Sequence, residues 1–293
     1  MKHLKQGLLL ATLLVAQNLL ACSQDGKDGI VPENDLNIAV DAKRLGGITE
    51  ETFNATIDKV EALYSPIVSS AGGKLEVVRN WTDGTVNAYA QQTGTNWKVS
   101  MFGGLARHDT ITGDGFALVI CHEIGHHIGG APKKRSFMGN AWASNEGQAD
   151  YFSTLKCLRK VWVNDNNESI VSRMKVDSHL VAACDKQWSS SEDRALCIRG
   201  GMAGDSVSRL FAALRNTTNW AKFETPDQKV VTTTDDNHPA YQCRLDTYFQ
   251  GALCEVSMNE DVETASEVKG TCHGTLNHAV GVRPKCWHKP AVQ

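Results

Sequence analysis

The chain has 293 residues, with 30 basic and 33 acidic side chains and a net charge of −3. Hydrophobic content of 41% and charged content of 22% suit a soluble globular protein. No basic excess marks a nucleic-acid binder and no acidic run marks a solvated tail. The length is enough to bury a real core, in one large domain or two small ones.

The first residues differ from the rest. "MKHLKQGLLLATLLVAQNLLAC" places Lys2 and Lys5 before an apolar run from Leu8 to Ala16. That pattern is a secretory signal over 1–21; the run is too short to span a bilayer, and Gln17 and Asn18 interrupt it. Leu19-Leu20-Ala21-Cys22 resembles a bacterial lipobox. The resemblance implies cleavage before Cys22, acylation of that cysteine and a membrane anchor of several acyl chains. Ser23 rather than Asp after the cysteine resembles the outer-membrane sorting pattern. The expected location is therefore the bacterial cell envelope, anchored in the outer membrane and facing the periplasm.

Residues 22–45 are polar with scattered Gly and Pro and read as a tether ahead of a folded domain over 46–293. A helix is expected from near Thr49, because Phe53, Ile57, Val60, Tyr64 and Ile67 recur at helical spacing; Ala71-Gly72-Gly73 ends it. Three strands follow. "KLEVVRNW" and "TVNAYAQQ" flank Thr82-Asp83-Gly84, which predicts a hairpin, and "NWKVSMFGG" is the third. Asp114 is the expected N-cap of a helix from about Phe116 to Ile128, stopped by Gly129-Gly130 and Pro132. Another helix should run through "NEGQADYFSTLKCLRKVW", with others at about 192–215 and 239–257. The last stretch, about 258–293, reads as irregular and disulfide-tied. The order of elements predicts an α+β fold with a small mixed or antiparallel sheet and a mainly helical C-terminal part.

Nine cysteines are present. With Cys22 acylated, eight remain, an even count that suggests disulfides in an exported protein. Cys121 and Cys157 lie in apolar helical stretches and are the best candidates for buried free thiols.

The chemistry centres on "VICHEIGHHIGGAP", residues 119–132, with His122, Glu123 and His126 in the order H-E-x-x-H. Residues four apart on a helix differ by about 40° in direction, so the two imidazoles share a face and suit one Zn²⁺. Glu123 lies about 100° round, placed to take a proton from water. On an exposed helix the same residues would simply face solvent. Here Leu118, Val119, Ile120, Ile124 and Ile128 make the segment apolar, and burying two histidines and a glutamate without a partner is costly. "SNEGQAD" supplies Glu146 as third ligand and, one turn on, Asp150 to orient a ligand histidine. His127 points off the metal face, and Trp81, Trp97 and Trp142 read as core.

H-E-x-x-H followed by E-x-x-x-D resembles the gluzincin metallopeptidases, with thermolysin-like spacing; Asn145, Glu146 and Asp150 look like that family's second metal helix. More of the chain, about 84–250, resembles soluble periplasmic relatives of the CAAX prenyl endopeptidase family. Asn87-Ala88-Tyr89 is similar to the family's edge strand, which pairs with the substrate backbone by strand addition. His238-Pro239 and Arg244 are similar to its late His-Pro…Arg motif, which would stabilise the oxyanion beside the metal. The resemblance implies a zincin-like fold and a zinc-dependent endopeptidase acting on proteins or peptides. The rival expectation is a non-catalytic, zinc-containing envelope lipoprotein that binds extended peptides or protein partners.

Overall fold

A computed structural model of the chain describes residues 29–43, 45–136 and 139–290. The signal segment and Cys22 lie outside the described residues. The fold is mixed α+β, with small sheets and a helical C-terminal part. Among the described residues no helix is long and apolar enough to cross a membrane.

Helix α1 (Glu50–Ser70) starts where expected: the Thr49 hydroxyl accepts from Thr52 N–H. Its Phe53, Ile57, Val60 and Tyr64 stripe is buried, while Val68 rather than Ile67 closes it. Each such aliphatic or aromatic side chain contributes about 1.5–3 kcal/mol when fully buried. Beyond the short helix α2 (Gly103–Ala106), the stripe packs on α3 (Gly113–Ile128), a helix apolar on nearly every side and correspondingly buried from Gly115 to His127. Thr112, not Asp114, caps α3, its hydroxyl accepting from Gly115 N–H. Asp114 sits in the first turn and instead accepts from Nε and Nη2 of Arg199, both at 2.8 Å.

Strands β1 (Lys74–Asn80), β2 (Ala88–Thr93) and β3 (Asn96–Phe102) form one sheet in the order β1-β3-β2. The expected β1–β2 hairpin is not formed. β1 runs parallel to β3, and the hairpin joins β2 to β3 through Gly94-Thr95. The turn-like Thr82-Asp83-Gly84 is held elsewhere: Arg107 donates to the carbonyls of Trp81 and Asp83, and Asn37 bridges to Thr85. That crossover carries β2 to the far edge of the sheet, where it packs against α3.

After α3, a two-stranded ribbon of β4 (Lys133–Ser136) and β5 (Gly139–Ser144) turns the chain back into α4 (Glu146–Phe152). The expected helix over 145–162 is one helical run with a π turn at Ser153–Cys157, continuing as α5 (Leu158–Trp162). Short helices α6 (Asn167–Val171) and α7 (Ser178–Gln187) precede the two long ones, α8 (Ser191–Leu214) and α9 (Tyr241–Leu253).

All eight cysteines pair, as Cys121–Cys157, Cys184–Cys197, Cys243–Cys286 and Cys254–Cys272. The expectation of free thiols at Cys121 and Cys157 is therefore overturned. The π turn brings Cys157 to α3 with 5.6 Å between Cα atoms, within disulfide range, and burial in apolar surroundings does not prevent the bond. Two bridges, Cys243–Cys286 and Cys254–Cys272, tie the largely irregular tail to α9 and its end.

Candidate metal centre

Three elements meet at one point. α3 supplies His122 and His126, with ring centroids 4.6 Å apart. α4 supplies Glu146 at its first turn. The segment before α9 supplies His238, whose Nε2 lies 3.4 Å from Glu146 Oε2. Ligand atoms of His122, His126 and Glu146 lie within 4.8 Å of one another, and this group could hold a metal ion. The close approach of α4 to α3 depends on Gly125. A Cβ there would meet Ala149 Cα at 3.1 Å and Phe152 Cδ1 at 3.2 Å.

The donor set suits such an ion. His126 Nδ1 faces the Ser144 carbonyl at 2.8 Å, and His122 Nδ1 faces Asp150 Oδ1 at 2.8 Å. Both rings thus have outward acceptors at Nδ1 and turn Nε2 toward Glu146, at 3.3 Å for His122 and 3.7 Å for His126. Glu123 is fully buried, and neither of its carboxylate oxygens has a hydrogen-bond partner. An orphaned buried carboxylate beside two imidazoles and a second carboxylate is costly unless a cation and water complete it.

Charge is strongly perturbed here. Burial pushes the Glu123 carboxyl up to about 7, with Glu146 adding to the rise and His122 opposing it. At His122 burial works against charge, but the Asp150 carboxylate overrides it and raises the imidazole to about 9. Burial holds His126 well below its ordinary value. Glu146 is held well below the carboxylate range: burial opposes its charge, and His238 and Lys134 prevail.

Asp150 is the hub behind the histidines. It faces His122 and accepts from Arg244 Nε and Nη2 and from the Tyr248 hydroxyl, each at 2.7 Å. Asn145 caps α4, accepting from Gln148 N–H and donating to Asp236, so it fixes the position of Glu146 through the backbone. Asn87 and Ala88 lie at the edge of the sheet, both buried. Residues 29–31, part of the expected tether, run along them: Ile30 N–H donates to the Ala88 carbonyl, and Asn87 exchanges two hydrogen bonds with Val31.

Sequence reasoning missed two contributors. Lys134, buried, donates to Glu146 Oε1 at 2.7 Å; in "PKKRS" nothing distinguishes it from a solvated lysine. Tyr248 lies one helical turn after Arg244, a spacing that could have found it. His127 is stacked between Trp97 and Trp142, with centroids at 5.4 and 4.8 Å. His273 and His278 bond to each other within their own loop.

No family model matches the chain, and neither a curated protein nor a solved structure does.

Proposed function

We propose that the chain is a zinc-dependent endopeptidase of the bacterial cell envelope, lipid-anchored through Cys22. One observation carries the reading: His122, His126 and Glu146 converge within 4.8 Å, with the unpartnered carboxylate of Glu123 buried beside them. A purely structural metal site has no use for that fourth group. His122, His126 and Glu146 would hold the ion. Zinc bound there supplies a Lewis acid and lowers the pKa of water toward neutrality.

The chain's own residues then do the following. Glu123 takes a proton from the attacking water and returns it to the leaving amine. Asn87 and Ala88 align an extended peptide along β2, and His238 donates to the carbonyl that gains negative charge. Arg244 holds Asp150, which in turn fixes the ring of His122, and its remaining Nη1 serves the peptide backbone.

One observation favours a second reading, a non-catalytic module that binds extended peptides or protein partners. Lys134 sits on Glu146 and competes for the charge a metal would use. Metal analysis of the purified protein, with casein cleavage measured before and after chelation, separates the two. One zinc per chain and chelator-sensitive cleavage support the enzyme. A chain that binds but never cuts, with zinc or without it, supports the module.

A further inference from the structure

The site's peptide-binding edge is taken by this chain itself. Gly29, Ile30 and Val31 lie against Asn87 and Ala88, held by one hydrogen bond to the β2 backbone and two to the Asn87 side chain. Ile30 N–H donates to the Ala88 carbonyl at 3.0 Å, Val31 N–H to Asn87 Oδ1 at 3.3 Å, and Asn87 Nδ2 to the Val31 carbonyl at 3.1 Å. The Ile30 carbonyl accepts from Arg244 Nη1 at 2.6 Å, and the Gly29 carbonyl lies 2.7 Å from His238 Nε2. All five contacts use backbone atoms of the segment, as recognition of a peptide by its main chain requires.

A segment that merely covered a sheet edge would need only partners on β2 and the residue before it. This segment also sets the Gly29 carbonyl on His238, whose Nε2 is 3.4 Å from Glu146 Oε2. The side chains after that carbonyl, Ile30 and Val31, are fully buried. The position before it accepts only glycine in this pose, since a Cβ on Gly29 would lie 2.0 Å from the Ala88 carbonyl oxygen and 2.3 Å from Asn87 Oδ1.

We propose that Gly29–Ile30 is a self-processing site: the segment is seated as substrate, and the chain hydrolyses this bond. The inference rests on the peptidase reading above. Water adds its oxygen to the Gly29 carbonyl carbon, the C–N bond to Ile30 breaks, and the Ile30 nitrogen takes both of the water's protons. The products are a Gly29 carboxylate and an Ile30 α-ammonium group. The cut separates Cys22 from the folded residues and so would release the domain from an anchor on that cysteine. It also defines a preferred substrate class: extended peptides with glycine before the cut and two β-branched apolar residues after it.

The test uses the full chain, loaded with zinc, read by intact mass and N-terminal sequencing. Wild type should yield a chain beginning at Ile30 and a fragment ending at Gly29, and Glu123→Gln should stay whole. Gly29→Val cannot seat, so it should keep its own bond while still cleaving added casein. A readout independent of turnover is hydrogen exchange at the Ile30 and Val31 amides in metal-free Glu123→Gln. Those amides should exchange at least about tenfold more slowly than when Gly29→Val is added. Equal exchange in both overturns the seating. A wild-type chain that keeps Gly29–Ile30 while it or Gly29→Val cleaves casein overturns self-processing and leaves the peptidase reading standing. If neither wild type nor Gly29→Val cleaves casein, the peptidase reading falls and this inference with it.

Discussion

Asp150 and Arg244 form a bidentate ion pair, Nε to Oδ2 and Nη2 to Oδ1 both at 2.7 Å, with neither side chain more than 2% exposed. Burial opposes the charge on each, and each holds the other ionised: Asp150 sits below its ordinary range and Arg244 above its own. The pair joins α4 to α9 and stands directly behind His122, so it couples the fold to the site.

Removing one partner leaves a buried charge uncompensated, which costs about 3–5 kcal/mol. Arg244→Met should therefore lower stability by about that amount in urea denaturation, although Met restores much of the packing. Asp150→Asn keeps an acceptor for His122 but loses the charge, and zinc affinity should fall about 10–100-fold. An unchanged denaturation midpoint in Arg244→Met would show that the pair is not coupled to the fold.

Gly125 sets the distance between the two helices that carry His122, His126 and Glu146. Gly125→Ala gains about 1 kcal/mol of helix propensity. Its Cβ would nonetheless press on Ala149 Cα and Phe152 at 3.1–3.2 Å. The overpacking should cost about 1–3 kcal/mol and shift Glu146 away from the histidines. Reduced zinc affinity in a folded Gly125→Ala is the expected result of competitive chelator titration. Wild-type affinity would mean the helix spacing is not critical.

Much of this was legible in the sequence because it is local. The α1 stripe, the H-E-x-x-H face and the Glu146/Asp150 turn each follow from helical spacing within one element. What was illegible depends on distant partners. Asp83 and Gly84 have turn chemistry, but Arg107 and Asn37 decide that they form a crossover. Cys121 and Cys157 looked like core residues until the π turn brought them together. Helix α7 has only Leu180 and Cys184 buried, too narrow a stripe to read by period. Lys134 carries no local sign of its contact with Glu146.

The disulfide map predicts no titratable thiol among the eight domain cysteines when the chain is denatured without reductant. Replacing both Cys121 and Cys157 by Ala opens a bridge with a sequence separation of 36. The loss should be about 4 kcal/mol on the loop-entropy scale. Finding two reactive thiols in the wild type, mapped to Cys121 and Cys157 by alkylation, would contradict this pairing.

His127 predicts acid sensitivity. Burial between the two tryptophans pushes its pKa down to about 4, against an ordinary value near 6.5. Between those values the unfolded chain binds the proton and the folded chain does not, so stability falls as pH drops from about 6.5 to about 4. The full loss is about 3 kcal/mol. His127→Phe keeps the stacking and removes the titration, so its stability curve should be flatter over that window. Parallel curves for the two proteins would assign the acid sensitivity elsewhere.

The central claim is that Glu123 is a base beside the metal and not a ligand to it. Zinc content and casein cleavage measured together on Glu123→Gln test this most directly. The substitution keeps size and polarity and removes the base. The expected protein is folded, carries one zinc per chain, and cleaves about 10²–10⁴-fold more slowly than wild type. A Glu123→Gln protein that retains zinc and cleaves as fast as wild type would contradict the account.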